Sequence, residues 1–173
     1  MKDENAHKEN GIVNIILNLK PAKSLFIVSC TREKIWDFNE EIDSFIEAKS
    51  AYYGKEFKEF LKWYESLDFR KKGYHWIILS GKYGYIEPQH PICWYDINMA
   101  NPDHYPISLK SLKNQSKQIR KWYIDGKYKK VRLDNFENLV CINCDVFYIE
   151  RIKSSLGKKN YISIDRIEKI IGE

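Results

Sequence analysis

Three short, uninterrupted apolar stretches alternate along the chain with stretches whose apolar positions recur every three or four residues. Ser24-Leu25-Phe26-Ile27-Val28-Ser29-Cys30, Tyr74-His75-Trp76-Ile77-Ile78-Leu79-Ser80 and the run from Asn138 to Asn143 are too short for stable helices. They carry apolar residues on both parities, as strands covered on both faces of a parallel sheet do. Between the first two, Phe57, Phe60, Leu61, Tyr64 and Leu67 mark one face of a helix beginning near Lys55, with Gly73 following as a stop. Another helix is read from Ser108 as N-cap through Leu109, Leu112, Ile119, Trp122 and Tyr123, ended by Asp125-Gly126. A third runs from Asp145 as N-cap through Tyr148, Ile149, Ile152 and Leu156 to Gly157. Further helices are expected around Asn39 to Ala48 and, short and final, after Asp165. Ile12 to Leu17 reads as either a short strand or a helical turn, closed off by Pro21. Glu87 to Tyr105 has no periodicity and reads as a long loop, of a length that in compact domains tends to carry function.

Strand, helix and strand in alternation predict an α/β protein: a three-layer, Rossmann-like domain around a mostly parallel central sheet. Residues 11–173 are read as one such domain, preceded by a polar tail, residues 1–10, expected to be flexible. With 173 residues, the chain can bury roughly 70% of the surface it exposes when unfolded, so the core needs no disulfide or metal. No apolar run approaches the ~20 residues that cross a bilayer, and the start is too polar for a signal-peptide core. A cytoplasmic protein with no membrane partner is expected.

Lys and Arg total 29 against 24 Asp and Glu, a formal charge of +5, and the excess is unevenly spread. From Tyr105 to Leu133 there are nine basic residues and one acid, Asp125. Lys113, Lys117, Arg120, Lys127, Lys129, Lys130 and Arg132 are therefore candidate contacts to a DNA or RNA backbone. The same block also fits the solvated side of a helix and turn. Cys141 and Cys144 have a two-residue spacing and, with His90 and Cys93, sketch a mixed zinc site. Cys141 lies in an apolar run, however, where a cysteine acts as a small hydrophobe, and no metal is predicted.

Ligands of open parallel sheets bind beyond the carboxyl ends of the strands. Two such ends carry polar, reactive segments, Ser29-Cys30-Thr31-Arg32-Glu33-Lys34 and Ser80-Gly81-Lys82-Tyr83-Gly84-Tyr85-Ile86-Glu87. If they converge, Ser29, Thr31, Lys34, Ser80, Lys82 and Tyr83 form a ligand-binding set. Their hydroxyls and cations suit sugar and phosphate oxygens, while a carboxylate accepts from the amino and imino groups of a base. Glu87 and Asp96 are the candidate general acid and base, as in cleaving or exchanging a glycosidic bond. Cys30 is a candidate nucleophile, with Arg32 and Lys34 nearby in sequence to stabilise a thiolate. No nucleophile elbow, Walker loop or dinucleotide fingerprint is present, and no cofactor is expected.

Several of these segments occur in a recognisable order. Ser29-Cys30-Thr31 with Lys34, Ala48 to Gly54 with Phe57, Trp76 to Gly84, Glu87-Pro88, Tyr95-Asp96 and Asn143-Cys144-Asp145 with Tyr148 together resemble a small uncharacterised bacterial and phage domain family. That family is similar to the YaaA-like peroxide-stress proteins and, more distantly, to the uracil-DNA-glycosylase-like domain of archaeosine-related tRNA-modifying proteins. The resemblance implies a Rossmann-like, uracil-DNA-glycosylase-like fold, a nucleobase or nucleotide ligand, a nucleic-acid context and a phage or defence-related setting. It adds Tyr52 to the ligand-binding set. The chain departs from the family pattern at Gly81, where alanine is common, in a long insert between Thr31 and Ala48, and at Asn143-Cys144, where a small Ala-Gly pair is expected. The function expected is handling of a nucleobase or nucleotide, with a modified purine or a glycosidic bond in a nucleic-acid context as the chemistry; the alternative is a non-catalytic DNA- or RNA-binding protein.

Overall fold

The structure, a computed structural model, describes residues 11–124 and 127–167. Residues 11–17 are helical (α1), and a 3-10 turn at Pro21–Lys23 delivers the chain into β1 (Ser24–Ser29), all six residues of which are buried. There follow β2 (Ile46–Glu47), α2 (Ala48–Ala51), α3 (Lys55–Ser66), β3 (His75–Ser80), β4 (Gly84–Ile86) and β5 (Pro91–Ile92). The second half comprises α4 (Leu109–Lys117), β6 (Arg120–Ile124), β7 (Lys127–Val131), β8 (Asn138–Ile142), α5 (Val146–Leu156) and β9 (Asn160–Ile164).

The central sheet has the order β4-β3-β1-β8-β9. Its β3, β1, β8 and β9 are parallel, and only the edge strand β4 is antiparallel. Numbered by appearance, the parallel strands run 2-1-3-4, so the chain moves outward from β1 first to one side and then to the other. Phe26 sits in register with Trp76 on one neighbour and Val140 on the other. Alternation along β1 splits the core in two. Phe26 and Val28, with Ile78, Val140 and Ile142, meet Phe57, Phe60, Trp63 and Tyr64 of α3. Leu25 and Ile27, with Ile77, Leu79, Leu139 and Cys141, meet Leu112 of α4 and Tyr148, Ile152 and Leu156 of α5. The result is the expected α/β layering around a mostly parallel sheet.

Local signals account for most boundaries. Ser108 caps α4 by accepting from the Ser111 N–H, and Asp145 caps α5 by accepting from the N–H groups of Phe147 and Tyr148. The outer edge of β4 is bracketed by Gln115 of α4, whose amide accepts from the Tyr85 N–H and donates to the Tyr83 carbonyl, both at 2.8 Å. Gly84, at φ +74°, lies against that amide, and a Cβ there would collide with it. Among the described residues, no helix is long and apolar enough to cross a membrane.

Three sequence readings are corrected. The expected helix from Asn39 to Ala48 is largely irregular chain ending in β2, which pairs with β5 (Ile46 opposite Ile92); α2 begins only at Ala48. The helix begun at Ser108 stops at Lys117. Gln118 turns extended, and Arg120–Ile124 instead pairs antiparallel with Lys127–Val131 as a hairpin outside the central sheet. Trp122, read as helical, is a strand residue packed against His75 and Phe136. No strand is read between Gly157 and Asp165, yet Asn160–Ile164 forms β9 beside β8. The ambiguous Ile12–Leu17 segment is helical. The tail 1–10, the Asp125-Gly126 stop and the end of the short final helix lie outside the described residues.

In β1, Phe26 is fully buried with the rings of Trp63, Tyr64, Phe69 and Tyr74 at centroid distances of 5.0–6.0 Å. Phe26→Ala is expected to cost roughly 3–5 kcal/mol, read as a lowered midpoint in chemical denaturation; a loss under about 1 kcal/mol would contradict a close-packed cluster here.

Candidate functional site

Outward winding from β1 leaves the crossovers diverging at the carboxyl ends of β1 and β8, and ligands of open α/β sheets bind at such a divergence. A cleft of ≈ 750 Å³ opens there. The segment after β1, from Ser29 to Lys34, forms one side, and Asn143, Cys144, Asp145 and Tyr148 from the β8–α5 junction form another. Asp96, Ile97, Asn98 and His104 of the long loop close it, with Glu56 and the Asp165-Arg166 pair at its rim. Gly81 holds that loop in place, since a Cβ on it would lie 2.7 Å from the Ile97 carbonyl oxygen. This close approach accounts for glycine at this position.

At the cleft floor, the Ser29 hydroxyl donates to the Asn143 carbonyl, and Cys30 Sγ lies 3.2 Å from the Tyr148 hydroxyl. Asn143 takes a left-handed conformation, φ +53°, that asparagine tolerates better than most residues. Its Nδ2 donates to the Glu56 carbonyl at 2.9 Å, while its Oδ1 is buried with no hydrogen-bond partner. His104 Nδ1 is likewise buried and unpaired. Buried polar atoms are nearly always satisfied, so these two, on residues that line the same cleft, are exceptions.

The cleft is richer in acceptors than in positive charge. Glu33, Glu56, Asp96, Asp145 and Asp165 line it against Arg32, Lys34 and Arg166. The Asp145 carboxylate already occupies the N-terminus of α5, the position an anionic ligand would otherwise take. Lys34 is only 3% exposed; its Nζ donates to the Arg32 carbonyl at 2.8 Å and stands 4.3 Å over the Tyr95 ring. Burial lowers its pKa, against the opposing pull of Cys30, Asp37 and Asp96. Beneath it, the Tyr95 hydroxyl is 2.6 Å from that of Tyr52 and 2.7 Å from Ser80 Oγ. Ser80 Oγ accepts from the N–H groups of Lys82 and Tyr83, which leaves its own proton for Tyr95, and Tyr95 in turn donates to Tyr52. Burial raises the pKa of Tyr52, Tyr95 and Tyr148, so these phenols stay protonated.

A smaller compartment of ≈ 300 Å³ shares Arg32, Glu33 and Asp96 with the cleft and adds Asp37, Trp94 and Tyr95. Trp94 is 53% exposed yet held in place, its Nε1 donating to Asp37 Oδ1 at 2.9 Å. The other Asp37 oxygen accepts from the Lys34 N–H. Burial pushes the Asp37 carboxyl up, but these hydrogen bonds and the nearby cations bring it below its ordinary value.

Of the residues singled out in the sequence, Ser29, Cys30, Thr31, Lys34 and Asp96 do line the cleft. Tyr52 and Ser80 lie buried behind Lys34, as supports rather than ligand contacts. Lys82 and Tyr83 do not line the cleft and surround Cys93 instead. Glu87 is also elsewhere: Arg120 Nη1 donates to it at 2.5 Å and Trp122 Nε1 at 3.4 Å. The proposed general acid and a proposed phosphate contact are thus each other's partner, and Arg120 further donates to the Tyr85 carbonyl. Arg132 pairs with Asp134. Lys113 and Lys117 on α4 and Lys127, Lys129 and Lys130 on β7 are exposed. Their hairpin stands at the amino edge of the sheet, with Trp122 5.3 Å from His75 at the start of β3. The length of β3, roughly 20 Å at about 3.3 Å per residue, separates it from the cleft. Cys141 and Cys144 are buried, and burial pushes the Cys141 thiol up to about 12. Among the described residues, no three His, Cys, Asp or Glu side chains are grouped to hold a metal.

Asn143 and Trp94 are not among the sequence candidates, and the sequence places His104 only within the long loop. A polar Asn between an apolar strand and a capping Asp was the available signal for the first; the other two sit in a loop whose path the sequence does not show. Comparison of the chain with family models, with curated proteins and with solved structures gave no match in any of the three.

Burial raises the Glu87 carboxyl, and the hydrogen bond and charge of Arg120 more than offset this and hold it below its ordinary value. A depressed carboxyl stabilises the fold above its unfolded pKa and loses that contribution as pH falls through the folded value. Glu87→Gln is therefore expected to lower stability by roughly 1–3 kcal/mol near neutral pH and to flatten its dependence on acid, without altering ligand binding in the cleft. Urea melts of both proteins between neutral and acidic pH check this.

Proposed function

We propose that this protein binds a nucleobase or nucleoside in the carboxyl-edge cleft and acts on it there, a modified purine or its glycosidic bond being the chemistry best suited to the lining. The observation that carries this reading is the acceptor-rich cleft, in which five carboxylates and Asn143 outnumber the cations. A base edge bearing amino and imino donors meets such acceptors, whereas a polyphosphate would face five carboxylates and an α5 N-terminus already taken by Asp145. The fixed, half-exposed Trp94 indole beside the shared carboxylates offers a face on which a flat heterocycle stacks. The ordered segments that resemble a small bacterial and phage domain family, itself distantly similar to the uracil-DNA-glycosylase-like domain of archaeosine-related tRNA-modifying proteins, support the same class of ligand.

In this reading, Asn143 and Asp96 recognise the base edge, and Asp96, exposed on the rim, accepts or supplies a proton at the glycosidic bond or stabilises positive charge developing on the sugar. Cys30, with the Tyr148 hydroxyl beside it, is placed for covalent capture of the sugar or base. Lys34 and the Ser80–Tyr95–Tyr52 chain keep the floor rigid and dry.

Calorimetric titration with free bases, nucleosides and nucleoside triphosphates tests the proposal. Nucleosides are expected to bind more tightly than triphosphates, and Asn143→Ala to weaken binding about tenfold or more, as loss of one buried hydrogen bond does. Asp96→Asn is expected to abolish turnover at unchanged melting temperature. Tighter triphosphate binding, or no binding of any of these ligands, overturns it.

A second reading, binding of DNA or RNA without catalysis, is favoured by one observation: the exposed lysines on the two-stranded β6–β7 ribbon, a shape that fits a nucleic-acid groove. Reversing Lys127, Lys129 and Lys130 together is expected to lower affinity for unrelated sequences alike and to flatten the salt dependence, while Asp96→Asn leaves binding untouched. Gel-shift titrations over a salt series distinguish the two.

A further inference from the structure

Away from the cleft, the turn between β3 and β4 and the residue following β5 bring a thiol, an amine and a phenol together. Cys93 Sγ is half-buried, 3.2 Å from the Tyr83 hydroxyl and 3.6 Å from Lys82 Nζ, and the Cys93 N–H reaches the same phenol oxygen at 3.4 Å. Lys82 makes no ion pair with a carboxylate among the described residues, so the Cys93 sulfur is the side-chain acceptor its ammonium meets. The other cysteines lack this setting. Cys141 and Cys144 are buried in the core, and Cys30 faces a phenol while the nearby Lys34 is committed to a carbonyl.

We propose that Cys93 is a hydroperoxide-reactive thiol whose oxidised sulfur is captured by Lys82, forming a reversible S–N link between the β3–β4 turn and the segment after β5. Thiolate character supports the first step: the Tyr83 hydrogen bond and the Lys82 charge outweigh burial and lower the Cys93 pKa. Sγ attacks one oxygen of the hydroperoxide, the O–O bond breaks, and the departing oxygen leaves as water or alcohol. Sulfur is oxidised by two electrons to a sulfenic acid, and the peroxide is reduced. The thiolate that balanced the ammonium has then disappeared, with Nζ still beside the sulfur on a flexible stem. The ammonium first gives one proton to solvent; the freed nitrogen lone pair then attacks Sγ, the S–N bond forms and the S–O bond breaks. Of the two protons lost by the ammonium, one leaves with the hydroxyl as water and the other goes to solvent. Capture at this stage protects the sulfur from irreversible further oxidation, and a thiol reductant restores both side chains.

The link also reaches toward the cleft floor. Lys82 Nζ lies 5.4 Å from the centroid of the Tyr95 ring over which Lys34 stands, so drawing Lys82 onto sulfur removes one of two cations from that ring.

Treatment of the full chain with hydrogen peroxide, followed by intact-mass and peptide mapping, tests the proposal. The expected product is lighter by two hydrogens, joins Lys82 to Cys93, resists tryptic cleavage at Lys82 and reverts with dithiothreitol. Lys82→Met, checked for folding by circular dichroism, is expected to form no link and to carry Cys93 on to sulfinic acid; Tyr83→Phe is expected to slow alkylation of Cys93 by iodoacetamide several-fold. Oxidation of Cys30 ahead of Cys93, or accumulation of Cys93 sulfinic acid in the wild-type chain with Lys82 unmodified, overturns it.

Discussion

Strand β1 is paired along both edges and covered on both faces, so the chain can place polar side chains only where that strand ends. Its six buried residues hold β3 and β8 in parallel register and separate the two halves of the core. Past Ser29, the backbone leaves the sheet into the gap between diverging crossovers, and Ser29, Cys30 and Thr31 become the first residues of the cleft. Three residues past Thr31, Lys34 folds back under the surface, where a carbonyl and the Tyr95 ring replace the water its ammonium has lost. The cleft floor is thus a direct continuation of the central strand, and its rigidity comes from that strand's packing.

Charge is sorted along the same axis. The carboxyl edge gathers acids around an unpaired amide oxygen, and the amino edge carries the lysine-rich hairpin. The Glu87–Arg120 pair fastens the hairpin to the end of β4, with Trp122 filling the space between His75 and Phe136. The length of β3 lies between the two regions, so the proposed base recognition and the alternative polyanion binding fall on separate surfaces of this fold. The Lys82–Cys93 pair belongs to neither region, although Tyr95 connects it to the cleft floor.

The strands β1, β3 and β8 and the helices α3 and α5 were legible because each is a local pattern, a short apolar run or an apolar stripe with a cap, that burial then enforces. The hairpin was not, because Leu109, Leu112, Ile119 and Trp122 can be fitted to a helical stripe. What decides against it is the pocket beside His75 and Phe136 that receives Trp122 from an extended chain. β9 escaped notice because Ile162 and Ile164 alternate with polar residues, as suits the outermost strand of a sheet. The candidate site was half legible: residues at the strand end were found, and those on the loop that closes the cleft were not.

By itself, then, the sequence determined the α/β class, the existence of the three main strands and the residues at the carboxyl end of β1, since these follow from periodicity and from caps that act within a few residues. Only the tertiary structure decided which polar side chains share a site. Glu87, Lys82 and Asp96 are equally polar and stand in one segment, yet one is drawn into an ion pair with Arg120, one is set beside a thiol, and one is left facing the cleft. Their partners come from distant parts of the chain, and a side chain's chemistry is set by the partner it meets.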